Sequence, residues 1–375
     1  MKKIVILDFD WALGRYEIAP VKFLNRPGRP DVVHVSGPYA SFDANEFKKI
    51  YGSDYIKIAV VNCHFPESGM ISQNLDVFDL IVVTDPEIIN VNEYFDILSE
   101  KFSNNKIIVL SSCPLDSFST LDTVLTVPWF FLQTQAVNHR LNLNNTNPSF
   151  ESKPKLFDAL LGINKPHRKF IFDSLINYDL LDKSWVSLSA ATSYDQNPKP
   201  VYYKSQGLTE LEIEQVQPAM NSVDLGFDSY TQLPAAGRPM ASNLIPVNIY
   251  NTSYYSIVAE SSYRRPFFSE KTAKPLLANR LFVLFGAYRQ LEKLRSFGFE
   301  TFGAVIDESY DSEPDDYIRW KMAFEQVVEL SKNDPEKVLA KIDGVLIHNQ
   351  NLINNREYFM APVRNWVWDH IKKIY

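Results

Sequence analysis

Short, continuous apolar runs alternate with longer polar connections through the first third of the chain. The runs cover residues 4–7, 31–35, 56–61, 80–83, 107–110 and 123–127. Runs of this kind are typical of strands that helices bury on both faces, which is the usual state of a parallel sheet. The pattern therefore predicts an α/β fold with a parallel sheet, a Rossmann-like domain, over residues 1–150.

A polar break separates this part from a second half with its own alternation. Residues 141–155 are rich in Asn, Ser and Pro and show no period, so we predict a linker there. A chain of 375 residues is also long for a single core. We predict a second α/β domain over residues 151–356 and expect the C-terminal helix, residues 357–375, to pack back on the first domain. The weakly patterned stretch 190–246 predicts a functional excursion rather than a plain connection.

One stretch of the second half, residues 255–286, concentrates polar groups between two apolar runs. The first run ends at Glu260, a basic and aromatic turn with two arginines follows, and Ser-Glu-Lys at 269–271 begins a predicted helix. The second run ends at Gly286. In α/β folds, ligands bind at the carboxyl ends of strands and the amino ends of helices, where free N–H groups and the helix dipole attract anions. The stretch therefore predicts a site for a phosphorylated or nucleotide ligand.

Two details of this predicted helix leave alternatives open. Ser269 followed by Glu270 is also the way in which an ordinary helix is capped. Lys271, however, opposes the helix dipole from the first turn, which costs stability unless an anion binds there. Pro275 conflicts with a straight helix that starts at Glu270, so we expect the helix to be kinked or to begin later.

The order of these residues resembles the donor-binding motif of the α-1,3-fucosyltransferase family. That motif runs F-E-N-S, a short aromatic spacer, T-E-K, a helix and P-V-(V/I)-x-G. This chain has A-E-S-S at 259–262, an aromatic spacer that ends at 267–268, S-E-K at 269–271 and L-F-V-L-F-G at 281–286. Several neutral positions depart from the motif and leave the identity of the donor sugar open. They include Ser261, Phe267, Ser269 and Phe282.

The resemblance implies an enzyme of the GT-B type, in which two Rossmann-like domains face a cleft. Residues 1–150 would form the acceptor side and residues 151–356 the donor side. The implied reaction is an inverting transfer of a sugar from a nucleoside diphosphate sugar to a hydroxyl acceptor. The family default for this donor is GDP-fucose. The resemblance implies no required metal and no cofactor besides this donor substrate.

The resemblance also assigns residues to the donor site. They are Glu260 and Glu270 for the donor hydroxyls, Ser262 beside them, and Lys271 for the diphosphate. Arg168 stands in a short basic loop between a predicted strand, 156–161, and a predicted helix, 169–180. Family members have a similar arginine that contacts the donor diphosphate, and a guanidinium suits bidentate phosphate contacts. The alternative for Arg168 is an ordinary surface arginine.

A candidate base follows the predicted strand 56–61. The family places a catalytic glutamate after the equivalent strand, and here the loop contains Glu67 and His64. Inverting transfer needs a carboxylate that deprotonates the attacking hydroxyl while the bond to the diphosphate breaks on the opposite face. We predict Glu67 as this base, with His64 as the second candidate. The alternative is that Glu67 is a solvated loop acid.

The first predicted strand supports a competing hypothesis. It ends in Asp8-Phe9-Asp10, which resembles the nucleophile motif of haloacid-dehalogenase-type phosphatases, enzymes that depend on Mg²⁺. Those proteins usually continue with a small pair of residues, whereas Trp11 and Ala12 follow here. A structural or acceptor-side role for Asp8 and Asp10 is the other interpretation. A further alternative is a non-catalytic derivative that binds a glycan or a protein.

Composition narrows the partners and the compartment. The net charge of −7 argues against a non-specific nucleic-acid surface, but a modified DNA base stays open as an acceptor beside a glycan. Cys63 and Cys113 are the only cysteines, which indicates a reducing compartment, and no apolar run approaches the length of a membrane span. We therefore expect a soluble, cytoplasmic protein. Its Asn-, Tyr-, Phe- and Lys-rich sequence suits a phage or bacterial source.

Overall fold

The chain contains two compact units. The computed structural model describes residues 3–8, 32–36, 44–62, 77–85, 107–111, 124–140, 152–189 and 244–374. One unit comprises Met1–Gln133 together with Asn355–Tyr375, and the other comprises Thr134–Asn354. The predicted linker at 141–155 falls largely outside the described ranges. None of the helices within those ranges has the length and apolar character that crossing a lipid bilayer requires.

The first unit is built on a six-stranded sheet. Its strands are β1 Lys3–Asp8, β2 Val32–Ser36, β3 Tyr55–Asn62, β4 Leu80–Asp85, β5 Ile107–Ser111 and β6 Val124–Thr126. They follow the order β2-β1-β3-β4-β5-β6, and each neighbouring pair is parallel. Every residue of β5 is buried, as expected for a central strand covered on both faces. Between β1 and β3 the strand order reverses, which is where open α/β sheets usually bind ligands.

Among the described residues, three helices belong at least in part to this first unit. They are α1 Ala44–Ile50, α2 Trp129–Arg140, which continues into the second unit, and α10 Arg356–Ile374. Helix α10 is amphipathic, since Phe359, Val363, Val367 and Ile371 are buried at helical spacing.

The second unit is built on a four-stranded sheet. Its strands are β7 Lys155–Ile163, β8 Ser184–Ser189, β9 Ser253–Ala259 and β10 Phe282–Phe285, in the order β10-β9-β7-β8 and all parallel. Its helices are α3 Pro166–Asn177, α4 Val247–Asn251, α5 Glu270–Leu277, α6 Gln290–Ser296, α7 Asp316–Lys332, α8 Pro335–Lys341 and α9 Asp343–Asn354. The predicted class, α/β with parallel sheets, is therefore confirmed.

A buried ion pair between Asp158 and Arg280 connects the strands of this second sheet. Asp158 Oδ2 in β7 lies 2.6 Å from Arg280 Nη2 and accepts hydrogen bonds of 3.0 Å from the hydroxyls of Ser253 and Ser256 in β9. Arg280 also donates to the carbonyls of Tyr250 and Ser253. Because all three guanidinium nitrogens of Arg280 and Oδ2 of Asp158 have polar partners, the cluster joins β7, β9 and the connection to β10.

Two sequence-based boundaries need correction. Helix α3 begins at Pro166 rather than at residue 169, so Arg168 lies within its first turn. Proline is favoured at the first helical position because its missing N–H is not needed there. Helix α5 begins at Glu270 with Pro275 inside it, so the later start that Pro275 suggested is wrong. Only two residues of α5 follow Pro275, and the capping contacts at its start therefore outweigh the lost hydrogen bond.

Candidate functional site

The predicted donor residues gather at one edge of the second sheet. Glu260 follows β9 directly, and the loop that contains Lys165 follows β7. Because β7 and β9 are neighbouring parallel strands, their carboxyl ends lie side by side. Near its carboxyl end, β7 bulges between Leu160 and Gly162, and Gly162 has a φ of 65°. Glycine adopts this left-handed conformation without strain, which turns the chain toward α3.

Glu260 binds the start of helix α5 with its side chain. The side chain is fully buried, at 0% exposure, and its carboxylate accepts the backbone N–H of Ser269 at 3.1 Å and the Ser269 hydroxyl at 2.6 Å. It also accepts hydrogen bonds from the Thr272 hydroxyl and, at 3.0 Å, from the backbone N–H of Ser261. Ser269 in turn caps α5, because its hydroxyl accepts the N–H of Lys271. The carboxylate oxygens of Glu260 are therefore committed to positioning α5.

The first turn of α3 binds the main chain that follows β9. His167 and Arg168 are both buried, and both contact the carbonyl oxygen of Glu260, at 2.8 Å from Nε2 and 3.2 Å from Nη2. Lys165 donates to the carbonyl of Ser261. Burial, together with the neighbouring charges of Arg168 and Lys165, lowers the pKa of His167 to about 3. His167 is therefore neutral at physiological pH and donates its Nε2–H to Glu260.

Glu270 and Lys271 form an ion pair at the entrance of α5. Lys271 Nζ lies 2.6 Å from Glu270 Oε1 and 3.3 Å from the Ser261 hydroxyl. The two side chains keep 20% and 11% of their surface exposed, for lysine and glutamate respectively. Burial alone would raise the pKa of Glu270, but the charges of Lys271 and Lys274 outweigh burial and lower it. Glu270 is therefore ionised at neutral pH, and both side chains keep part of their surface accessible to a ligand.

Lys274 is a site residue that the sequence reasoning missed. It follows Lys271 by nearly one turn of α5 and is only 9% exposed. Within the described ranges, no group accepts a hydrogen bond from the ammonium group of Lys274, and no carboxylate forms an ion pair with it. Burial lowers its pKa to about 8, against the opposing charge of Glu270. The spacing from Glu270 to Lys274 is visible in the sequence, but the burial of the lysine is not.

The turn after β9 is shaped by Ser262. Its hydroxyl accepts the backbone N–H groups of Arg264 and Arg265, at 3.3 and 3.2 Å. Both arginines are exposed. Such a short contact between a serine and the following main chain stabilises a tight turn. The hydroxyl of Ser262 therefore supports the loop that follows β9.

The buried side chains of Arg319 and Gln290 also bind the turn that follows β9. Arg319 of α7 donates to the carbonyls of Gly286 and Tyr263, at 3.2 and 3.3 Å. Gln290 donates to the carbonyl of Phe267 at 2.7 Å and accepts the N–H of Ala287 at 2.6 Å. The ends of β9 and β10 are thus joined through polar side chains, which gives the site a rigid support.

The predicted residues of the first unit cannot be placed in the same way. Glu67, His64 and Asp10 lie outside the described ranges, and Asp8 is the last residue of β1. Among the residues that are described, no three His, Cys, Asp or Glu side chains come together as metal ligands would.

The described residues define an α/β protein with two parallel sheets and a cationic, partly buried site at the carboxyl edge of the second sheet. The chain is similar to a solved structure described as a crystal structure of α1,3-fucosyltransferase, with 9% sequence identity and a TM-score of 0.41. That match covers 96% of this chain and 92% of the other. A second match, to the crystal structure of α1,3-fucosyltransferase with GDP, has 9% identity, a TM-score of 0.36 and coverage of 94% and 93%. No protein-family model and no curated protein matches the chain.

Proposed function

We propose that this protein is a glycosyltransferase whose donor is a nucleoside diphosphate sugar. The observation that carries the proposal is the group of cations at the carboxyl ends of β7 and β9 and at the start of α5. Lys165 lies in the loop after β7, Arg168 lies in the first turn of α3, and Lys271 lies in the first turn of α5. Cationic side chains beside a helix N-terminus are the arrangement that binds the phosphates of nucleotides in α/β folds.

The charge of the site suits a diphosphate. Glu260 is turned inward to Ser269 and Thr272, so Glu270 is the carboxylate that remains beside the entrance. Arg168 and Lys271 would take the negative charge that develops on the diphosphate when the sugar leaves. Preorganised cations at that position stabilise the transition state more than the ground state. Glu270 would accept hydrogen bonds from hydroxyl groups of the donor sugar.

The proposed reaction is a single displacement with inversion. The acceptor hydroxyl attacks the anomeric carbon, the bond from that carbon to the diphosphate oxygen breaks on the opposite face, and the hydroxyl proton moves to a carboxylate. We assign this base to Glu67, with His64 as the second candidate. The motif in residues 259–286 favours a GDP-fucose-like donor, and the acceptor is a hydroxyl group of a glycan or of a modified DNA base.

The donor site is tested by calorimetric titration with GDP, UDP, CDP and ADP. Wild-type protein is expected to bind one of them best, and Lys271→Ala to weaken this binding at least about tenfold, since charge-assisted hydrogen bonds to phosphate contribute roughly 1.5–3 kcal/mol. Lys337→Ala is the matched control because Lys337 is an exposed helical lysine, 82% accessible, in α8. Unchanged binding in both Lys271→Ala and Glu270→Ala would remove the basis of the assignment.

The chemistry is tested separately from binding. Glu67→Gln is expected to lower the rate of sugar transfer by about 10²–10⁴ while nucleotide affinity is kept, as for loss of a general base. Mg²⁺-dependent release of phosphate that disappears in Asp8→Asn would instead indicate the phosphatase. Nucleotide binding with no transfer or hydrolysis of any donor would indicate a non-catalytic binding protein.

A further inference from the structure

We infer that Lys274 is a further anion-binding residue of this site, which contacts a phosphate group of the ligand next to Lys271. The inference rests on the proposed function for the nature of the ligand, a nucleoside diphosphate. The anion site itself can be probed with pyrophosphate alone.

The geometry of α5 puts Lys274 on the same side of the helix as the ion pair at its start. An α-helix turns about 100° per residue, so Lys274 projects between Glu270 and Lys271 when the helix is viewed along its axis. Side chains of a helix tilt toward its N-terminus. A lysine side chain can span about one helical turn, 5.4 Å. The ammonium group is thus directed toward the turn that contains Glu270 and Lys271.

The rotation of α5 about its axis is fixed independently. Thr272, on the other side of the helix, donates its hydroxyl to the buried carboxylate of Glu260. The capping contacts of Ser269 with the same carboxylate fix the height of the helix against β9. Lys274 therefore cannot turn toward solvent by rotation of the helix, which agrees with its low exposure of 9%.

The charges around Lys274 leave one positive charge without a partner. Glu270 is the acidic neighbour on the same face of α5, and it already lies 2.6 Å from Lys271 Nζ. No described residue lies within ion-pair distance of Lys274. A buried ammonium group without a partner is costly, and proteins keep such a group where it serves binding or catalysis. Asp158 and Glu260 also act on Lys274, but Asp158 is paired with Arg280 and Glu260 binds Ser269 and Thr272. Four cations, Lys165, Arg168, Lys271 and Lys274, therefore face the two carboxylates of Glu260 and Glu270, and a diphosphate would supply the missing negative charge.

The experiment compares Lys274→Met with wild type in two measurements. Pyrophosphate affinity by calorimetry is expected to fall at least about tenfold, the usual effect of losing a charge-assisted contact. The melting temperature without ligand is expected to stay the same or rise, because Met fills the space without a buried charge. Lys337→Met is the matched control and is expected to change neither value. Pyrophosphate affinity within twofold of wild type, or a lower melting temperature with affinity kept, would show that Lys274 only supports the fold.

Two further measurements remain informative if Lys274→Met does not fold. Lys274→Arg keeps the charge and is expected to retain pyrophosphate binding. In wild-type protein, labelling of Lys274 by acetic anhydride, read by mass spectrometry, is expected to be slowed by pyrophosphate. Labelling at the same rate with and without bound pyrophosphate would overturn the inference.

The outcomes separate this inference from the proposed function. Wild-type protein that binds pyrophosphate through Lys274 but binds no nucleoside diphosphate contradicts the transferase and supports the anion site. Binding of a nucleoside diphosphate that Lys274→Met leaves unchanged supports the transferase and contradicts the role of Lys274. Wild-type protein that binds neither ligand contradicts both.

Discussion

The buried carboxylate of Glu260 binds Ser269 twice, through the backbone N–H and through the hydroxyl. Ser269 follows Glu260 by nine positions, and the turn between them carries the exposed Arg264 and Arg265. The contact closes this turn and places the first residues of α5 at the end of β9. The position of Glu270 and Lys271 therefore depends on a carboxylate that is turned inward to Ser269 and Thr272.

Glu260→Gln tests this positioning role. The amide keeps the size of the side chain but cannot accept all of the hydrogen bonds from Ser261, Ser269 and Thr272. We expect the free energy of unfolding to fall by about 1.5–3 kcal/mol, the range for hydrogen bonds to a charged group. Urea denaturation measures this, with the exposed Glu292→Gln as the control.

Nucleotide affinity then distinguishes two roles for Glu260. A positioning residue loses stability together with affinity when it is changed. Full stability with a large loss of affinity would mean that Glu260 contacts the donor directly, as the resemblance to the fucosyltransferase motif implied.

Gly286 is the second place where the site depends on packing. A Cβ at this position would lie 2.0 Å from Gln290 Oε1, the atom that accepts the N–H of Ala287. Gly286→Ala therefore displaces Gln290 from Ala287 and Phe267, and we expect a loss of about 1–3 kcal/mol, as for overpacking of a filled core. Thermal unfolding measures the change.

Gly344 provides the matched control for this substitution. It lies in helix α9, and nothing comes within 4 Å of an added Cβ. Gly344→Ala is expected to stabilise the protein by about 0.5–1 kcal/mol, because alanine favours a helix. Equal effects of the two substitutions would contradict the tight contact at Gly286.

The buried pair of Asp158 and Arg280 supports the sheet below the site. Asp158→Asn leaves the guanidinium buried at 3% side-chain exposure without its charged partner. We expect a loss of about 3–5 kcal/mol, as measured when one member of a buried ion pair is removed. Guanidinium chloride denaturation tests the value. The double variant Asp158→Asn with Arg280→Met is expected to recover part of the lost free energy of unfolding. Losses that add up in the double variant would show that the two residues are uncoupled.

Because Lys274 is buried, the free energy of unfolding is expected to depend on pH in the alkaline range. Its pKa is lowered to about 8 in the folded protein from 10.5, so between these values the unfolded chain binds more protons than the folded one. Stability therefore rises with pH through this window. The charged groups that act on Lys274 are Glu270, Lys271, Asp158 and Glu260.

Urea denaturation at pH 7, 8, 9 and 10 measures this contribution as the difference between wild type and Lys274→Met. Subtraction removes the contributions of other alkaline groups, such as Lys153, whose pKa burial also lowers to about 8. We expect the free energy of unfolding of wild type to increase relative to that of Lys274→Met as the pH rises. Bound pyrophosphate should reduce this increase, because an anion holds the proton on Lys274. Parallel curves for the two proteins would contradict a buried, unpartnered ammonium group.

Local patterns determined much of this protein. The continuous apolar runs predicted the six strands of the first sheet and β7, β9 and β10 of the second. The step from β9 to Ser269, Glu270 and Lys271 was also visible, because strand ends, caps and helix starts follow from side chains close in sequence. These features depend on energies within a few residues of each other.

Only the tertiary structure decided which partners the charged side chains have. Asp158 meets Arg280 across 122 residues, His167 and Arg168 reach the carbonyl of Glu260 across more than 90, and Glu260 turns inward to α5. In the sequence, Lys274 cannot be distinguished from an exposed helical lysine, and only the structure shows that it is buried. A sequence pattern shows where a charge stands along the chain. Its desolvation and its partners depend on which distant segments fold back against it, and these determine whether it supports the fold or binds a ligand.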